Sequence, residues 1–151
     1  MGTRSRIGIE TPQGITSIYC HWDGYPSNNG KILIDHYTTV SKINRLMKLG
    51  DLSALGAVIG KKIDFDSTSE QRGGQCLAYR RDRGEKDVGA QFHADLASYT
   101  KYADEQWAEY VYLFSSGQWH VAAVGDRPQW RPLSDVLTDE ATTGYTIMTN
   151  T

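Results

Sequence analysis

The chain lacks the features that mark secreted and membrane-spanning proteins. It has only two cysteines, Cys20 and Cys76, fewer than a secreted domain of this size usually needs, so we expect no disulfide framework and a buried, unreactive Cys20. No apolar run approaches the roughly 20 residues that span a bilayer, and the charged start is not followed by the apolar stretch of a leader peptide. We therefore predict a cytoplasmic protein without membrane association.

An excess of charge of one sign is also lacking. The chain has 16 Lys and Arg residues against 18 Asp and Glu residues, which gives a formal net charge of −2. A nucleic-acid-binding protein usually has a clear basic excess, because neutralising phosphates supplies much of its affinity. A protein that imitates DNA would need long acidic runs, and the sequence has none. The composition argues against nucleic acid as a partner.

Hydrophobic residues, by contrast, are plentiful. They make up 39% of the 151 residues, and aromatic residues make up 11%, which is enough to form a core without metal ions or disulfides. The length fits one domain. We predict a single domain over residues 1–151 that needs no cofactor, with a loose, threonine-rich tail over about 139–151.

Turn residues divide the chain into two terminal hairpins with helices between them. A Thr-Pro-Gln-Gly turn separates strands predicted over 4–10 and 15–20, and a Ser-Ser-Gly turn separates strands over 109–114 and 118–124. This order predicts an α+β fold, an antiparallel sheet built from the N- and C-terminal hairpins with helices packed on one face. The other predicted elements are helices or turns capped by Ser27, by Thr38 or Thr39, by Asp51 and by Asp95, a strand over 75–80 paired with 90–93, and a helix over 133–137.

The polar loop over 21–30 is the main candidate for a binding site, since functional residues favour loops held by rigid elements. A nucleotide-hydrolysing phosphate loop is excluded, because five residues instead of four separate Gly24 from Gly30, and Ile32 replaces the magnesium-binding hydroxyl. The same loop also suits a purely structural turn in which Ser27 caps a helix and the aromatic rings pack on the core. Both interpretations stay open. The candidate binding residues of the loop are His21, Trp22, Asp23, Tyr25, Asn28 and Lys31.

Arg4 and Arg6 lie two residues apart in the first predicted strand and therefore share a face of the sheet. Two arginine forks on one face suit a carboxylate or phosphate group of a ligand. The alternative is structural, with one of the two arginines paired to Asp23 across the hairpin.

Histidines offer weaker catalytic alternatives. The His-x-Asp triplets at 21–23 and 93–95 contain metal ligands but lack the spacing of a specific site, so no metal ion is predicted, and Asp95 also suits a helix cap. Together with His36, these residues are the candidates for a small phosphoesterase or nuclease that depends on histidine or a metal ion. No residue is predicted to be catalytic.

Several segments together resemble a family of small phage and prophage proteins. The matching motifs are Met-Gly-Thr-Arg-Ser at 1–5 and His-Trp-Asp-Gly-Tyr-Pro at 21–26, with looser similarity over 76–85 and 109–119. The resemblance implies a phage-encoded protein that acts in the host cytoplasm, where it redirects the host or blunts its defences. It transfers no catalytic residue.

We therefore predict a binding protein rather than an enzyme, an inhibitor or sequestering protein. Its predicted target is a host or anti-phage defence protein or a nucleotide-like small molecule. A phosphoesterase or nuclease is the alternative function, and a virion-associated structural protein is the third. Each is compatible with a homo-oligomer, since small soluble proteins commonly associate symmetrically. The predicted binding residues are Arg4, Arg6 and the six loop residues named above.

Overall fold

The structure, a computed structural model, describes residues 2–149, and the side chains of residues 2–141. Within that part of the chain, no helix is long and apolar enough to cross a membrane. A π-helical turn, Pro26–Gly30, precedes the first α-helix. The strands are β1 (Ser5–Thr11), β2 (Gly14–Cys20), β3 (Leu52–Ala54), β4 (Leu77–Ala78), β5 (Gln91–His93), β6 (Tyr110–Ser115), β7 (Gln118–Ala123) and β8 (Arg131–Pro132). The helices are α1 (Lys31–His36), α2 (Val40–Leu49), α3 (Ser69–Arg72), α4 (Tyr79–Arg83), α5 (Leu96–Glu105) and α6 (Leu133–Thr149).

The strands form one sheet in the order β4-β3-β2-β1-β6-β7-β8, and β5 also pairs with β2. Both predicted hairpins are present, because β1 pairs antiparallel with β2, and β6 with β7. The hairpins are joined by parallel pairing of β1 with β6, and the short β3 also runs parallel to β2. The predicted α+β class is confirmed, with a mostly antiparallel sheet.

Alternate residues of the strands build two hydrophobic clusters on opposite faces of this sheet. The face that carries Ile7 and Tyr112 is covered by α1, α2 and α6, and we call it the closed face. The face that carries Val111 and Leu113 is covered by α5, mainly through Tyr99, and we call it the open face. Successive residues of one strand therefore belong to different clusters.

The second cluster corrects the prediction that helices pack on one face only. The reason lies in β6, where the residues from Val111 to Phe114 are all buried, so both faces of this strand need a cover. The helix that covers the open face, α5, begins as predicted after Asp95. The Asp95 carboxylate accepts a hydrogen bond from the backbone N–H of Ser98 at 2.8 Å and so caps the helix.

Two predicted elements differ in the structure, and in each an aspartate accepts a backbone hydrogen bond that the sequence did not indicate. The strand predicted over 75–80 is reduced to β4, since the chain turns into α4 and Asp82 accepts a hydrogen bond from the Ala78 N–H at 2.8 Å. Asp51 caps no turn. The residues after it form β3, and its carboxylate accepts a hydrogen bond from the backbone N–H of Tyr19 at 2.9 Å.

The helix ends agree with the sequence at α2 and differ at α1 and α6. Thr39 caps α2 by accepting a backbone hydrogen bond at 3.2 Å, and Gly50 follows its last residue, as predicted. Ser27 caps no helix, because it lies inside the π-helical turn. α6 continues to Thr149, past residue 139 where a loose tail was predicted.

Candidate functional site

The sheet has a gap beside β2, where two strands share one edge. β3 pairs with β2 at Cys20, and β5 pairs with β2 at residues 15–17. The predicted pairing of β5 with the strand over 75–80 is therefore wrong. Between these pairings, the backbone N–H of Tyr19 bonds to the Asp51 carboxylate instead of to a strand. A cleft of about 650 Å³ lies on the open face at this gap, between the first hairpin, α4 and α5. We call it the polar cleft.

Polar and aromatic side chains dominate the lining of the polar cleft. The N-terminal hairpin contributes Arg4, Arg6, Tyr19 and His21, and α5 contributes Tyr102. Alternation along the strands explains why these hairpin residues meet, since Arg6 pairs directly with Tyr19 across β1 and β2. The lining also includes the four carboxylates of Asp51, Glu85, Asp87 and Glu105.

Arg6 is the most unusual residue of the polar cleft. Its side chain is only 1% exposed, its Nε donates to the Ser17 hydroxyl oxygen at 3.0 Å, and its Nη2 donates to the Ser17 carbonyl at 3.3 Å. The guanidinium carbon lies 4.7 Å from the centre of the Tyr102 ring. Burial lowers the pKa of Arg6, yet within the described residues no carboxylate lies within ion-pair distance of it. Asp51 lines the same cleft and attracts Arg6 electrostatically, but among the described residues it forms no ion pair with it, so Arg6 is a buried cation without a directly bonded carboxylate.

Ser17 and His93 hold Arg6 in place through a buried chain of hydrogen bonds. The Ser17 hydroxyl accepts from Arg6, so its own proton is available to His93 Nε2, which lies 2.7 Å away. Burial, with a smaller contribution from Arg6, lowers the pKa of His93 to about 4, so the ring is neutral at pH 7 and carries its proton on Nδ1. His93 also packs between Tyr99 and Tyr102, with ring centres 5.0 Å and 5.2 Å away.

Tyr19 and His21 form a second polar pair in the polar cleft. The Tyr19 hydroxyl lies 2.7 Å from His21 Nδ1. Burial raises the pKa of Tyr19 to about 12, so the hydroxyl keeps its proton and can donate it to His21 Nδ1 in the tautomer that is protonated on Nε2. Burial and the nearby Arg4 lower the pKa of His21, which favours the neutral ring. His21 then has an Nε2–H group to donate to a ligand.

Of the eight residues predicted to bind, the structure brings three together in the polar cleft, namely Arg4, Arg6 and His21. The loop then passes to the other side of the sheet, because Tyr112 of the closed face donates a hydrogen bond to the carbonyl of Gly24 at 2.6 Å. The predicted residues that do not line the polar cleft are Trp22, Asp23, Tyr25, Asn28 and Lys31.

The remainder of the loop is ordered by its own hydrogen bonds. The buried Asn29 donates to the Ser5 hydroxyl and to the Trp22 carbonyl, both at 3.4 Å, and its N–H bonds to the Asp23 carbonyl. Lys31 forms an exposed ion pair with a neighbouring aspartate at 2.9 Å. Among the described residues, no ion pair joins Asp23 to Arg4 or Arg6, which was the structural alternative for the arginines.

The structure separates the residues considered for metal binding and catalysis. His93 is buried beside Ser17, while Asp95 caps α5, and His36 is exposed at the end of α1, on the opposite side of the sheet from the polar cleft. Among the residues that the structure describes, no group of three His, Cys, Asp or Glu side chains is placed to hold a metal ion. Cys20 is buried as predicted, and burial raises its pKa to about 12.

Sequence reasoning missed Ser17, Tyr19, Asp51 and Tyr102. Alternation along β2 contained a signal for the first two, since they share a face with His21 and, across the hairpin, with the two arginines. Asp51 and Tyr102 reach the polar cleft from segments far along the chain, and no local pattern marks them.

Similarity to other proteins does not assign a ligand to the polar cleft. Models of known protein families give no match to the chain, and neither do the curated proteins or the solved structures with which it was compared. The assignment therefore rests on the chemistry of the cleft itself.

Proposed function

We propose that the protein sequesters a small anionic, nucleotide-like molecule in the polar cleft. The observation that carries this proposal is the buried guanidinium of Arg6, which Ser17 holds in place and which has no carboxylate within ion-pair distance among the described residues. Buried charges in proteins are normally paired, because a lone buried charge is costly. A phosphate or carboxylate group of a ligand would supply the missing counter-ion.

The neighbours of Arg6 support an anionic ligand. Arg4, two residues before Arg6 in the chain, lines the same cleft, and His21 can offer an Nε2–H donor there when Tyr19 donates to its Nδ1. Arginine forks bind carboxylate and phosphate oxygens in pairs, and hydrogen bonds between charged partners are the stronger ones. Arg6 lies in β1, and the backbones of Arg4 and His21 next to the hairpin strands are bonded to Glu109 and Leu52, so little ordering is needed when a ligand binds.

The acidic residues around the arginines favour a small molecule over a nucleic acid. Asp51, Glu85, Asp87 and Glu105 line the polar cleft, and the whole chain has a net charge of −2. A polyanion that extends beyond the arginines would meet these carboxylates, whereas a small anion would contact mainly the arginines. The resemblance to phage proteins supports a role in the host cytoplasm, where removal of a nucleotide-like signal would blunt a defence response.

Native mass spectrometry tests the proposal directly. Gently purified protein is measured before and after incubation with host-cell extract or with a panel of nucleotides, and we expect a discrete added mass of a small molecule. Arg6→Met should abolish that added mass. Arg127→Met is the matched control, because it removes the same charge from an exposed position outside the polar cleft.

A measurement of unfolding separates loss of binding from loss of folding. Arg6→Met replaces a buried cation with an apolar chain of similar length, and Ser17 keeps its bond to His93, so we expect the free energy of unfolding to stay equal or rise by about 1–2 kcal/mol. Retention of the added mass by folded Arg6→Met would refute the proposal. Release of a cleaved nucleotide, lost in His21→Ala, would instead favour the phosphoesterase alternative.

A further inference from the structure

Trp107 occupies a backbone position that usually belongs to glycine. It follows the last turn of α5 with a φ of 62°, in the left-handed region. Its N–H bonds to the Asp104 carbonyl at 3.1 Å, and the next N–H, of Ala108, bonds to the Ala103 carbonyl at 3.0 Å. This pair of bonds defines the Schellman motif, in which glycine is the common residue at the left-handed position. A bulky aromatic residue is disfavoured there.

Packing within the chain does not compensate for this backbone conformation. The Trp107 side chain is 78% exposed, the most exposed of the large hydrophobic side chains in the described part of the protein. A glycine would end the helix better and would expose no indole ring to water. Strained residues of this kind cluster at ligand-binding positions. The fold therefore gives no reason for tryptophan at residue 107, and a ligand would.

Trp107 also lies at the boundary between two concave surfaces. It lines the polar cleft together with Arg4 and Arg6, and it lines an adjoining depression of about 700 Å³ that shares Arg4 and Glu105 with the cleft. The adjoining depression has more apolar wall, from Ala108 and Val124, beside the carboxylates of Asp104, Glu105 and Glu109. A ligand held by the arginines can therefore extend along the indole ring of Trp107.

We propose that Trp107 is a stacking platform for a planar ring, so that the ligand is a free nucleotide whose phosphate binds Arg4 and Arg6 and whose base stacks on the indole. This inference rests on the proposed function and assigns the part of the ligand that the arginines do not contact. Glu105, which lines both concavities, can accept hydrogen bonds from amino groups of the base or from ribose hydroxyls. Stacking suits every base, so Trp107 provides affinity more than base selectivity.

The test compares Trp107→Gly with the unchanged protein. Calorimetric titration uses ring-bearing probes, namely the four ribonucleoside monophosphates, NAD and cyclic dinucleotides, and two ring-free anions, inorganic phosphate and ribose 5-phosphate. We expect Trp107→Gly to weaken the best ring-bearing probe by roughly 5- to 100-fold and to leave the ring-free anions unchanged. Trp107→Tyr, which keeps an aromatic face, should retain most of the affinity.

The same variant has an opposite effect on the fold. Because glycine suits the left-handed position, we expect Trp107→Gly to raise the melting temperature by about 2–4 °C while it weakens binding. If the ring-bearing and ring-free probes bind the unchanged protein equally, or if Trp107→Gly binds nucleotides normally, the stacking role is refuted and the proposed function stands. If no probe binds, both are refuted. Tighter binding of a single-stranded oligonucleotide than of any free nucleotide refutes the assignment to a free nucleotide.

Discussion

The two faces of the sheet are made by the same strands and yet differ in chemistry. The closed face is apolar and is sealed by three helices, and its polar atoms bond to the backbone, as Trp119 Nε1 does to the Tyr37 carbonyl at 2.9 Å. The open face is covered by α5 alone, and beside β2 it carries Arg6 and Ser17. Strand alternation separates these environments residue by residue.

The comparison shows which face of the sheet stabilises the fold and which face leaves space for a ligand. A fully covered face gains from every apolar side chain that it buries. A face with one helix leaves space for the polar cleft. Beside that cleft, Tyr102 of α5 lies over the buried charge of Arg6, where the closed face would have an apolar cluster. Substitutions on the two faces should therefore behave differently.

The largest effect is expected on the closed face. Ile18 lies at the centre of β2 with no exposed surface, so Ile18→Ala should lower the free energy of unfolding by about 3–4 kcal/mol through lost burial and the cavity left behind. Leu96→Ala is the control on the open side, where the side chain is 40% exposed and a cost below about 1 kcal/mol is expected. Chemical denaturation measures both. Equal costs would mean that the two faces are equally packed.

An intermediate effect is expected where α5 contacts the open face. A Cβ atom at Gly8 would lie 2.9 Å from the hydroxyl oxygen of Tyr99, which is held by donating to the Tyr112 carbonyl at 2.7 Å. Gly8→Ala should therefore force the helix outward and lower the free energy of unfolding by about 2 kcal/mol.

A double-mutant cycle locates the cause of that effect. In Tyr99→Phe the ring no longer bonds to Tyr112 and can shift, so Gly8→Ala should cost about 1 kcal/mol less in that background. Additive costs, measured by denaturation of all four proteins, would show that the strain lies elsewhere than between Gly8 and Tyr99.

The smallest effect is a pH dependence that originates from the open face. The pKa of His93 is lowered from 6.5 to about 4. Between pH 6.5 and 4, His93 is therefore mostly protonated in the unfolded chain and mostly neutral in the folded protein. The stabilisation is therefore present above pH 6.5 and is lost progressively as the pH falls towards 4, with about 1–2 kcal/mol of it lost between pH 6.5 and 5. Unfolding measured at several pH values over this range checks it.

His93→Gln is the matched variant for the pH experiment. Glutamine can still accept the Ser17 hydroxyl proton but does not titrate, so the difference in unfolding free energy between the two proteins should change by about 1–2 kcal/mol between pH 6.5 and 5. The carboxylates titrate in both proteins and cancel in the difference. A constant difference would place the pKa of His93 near its usual value.

The hairpins, the caps at Thr39 and Asp95, and the shared face of Arg4 and Arg6 were predictable because each depends on residues close in sequence. The helix cover of the open face and the short β4 were not, since each depends on partners that come from distant segments. The same distinction applies to the site. Three of its residues were predicted, Arg4 and Arg6 from the first predicted strand and His21 from the loop that follows the second.

The sequence by itself determined the α+β class, the two hairpins and the position of two arginines on one strand face, because turn residues and strand alternation act over a few residues. Only the tertiary structure decided that Arg6 is buried with no carboxylate at ion-pair distance among the described residues, and that Trp107 lines the same cleft. Both features arise because β3 and β5 divide the edge of β2 and α5 covers one part of the open face. Burial and the approach of distant side chains are properties of packing, and no local pattern of residues encodes them.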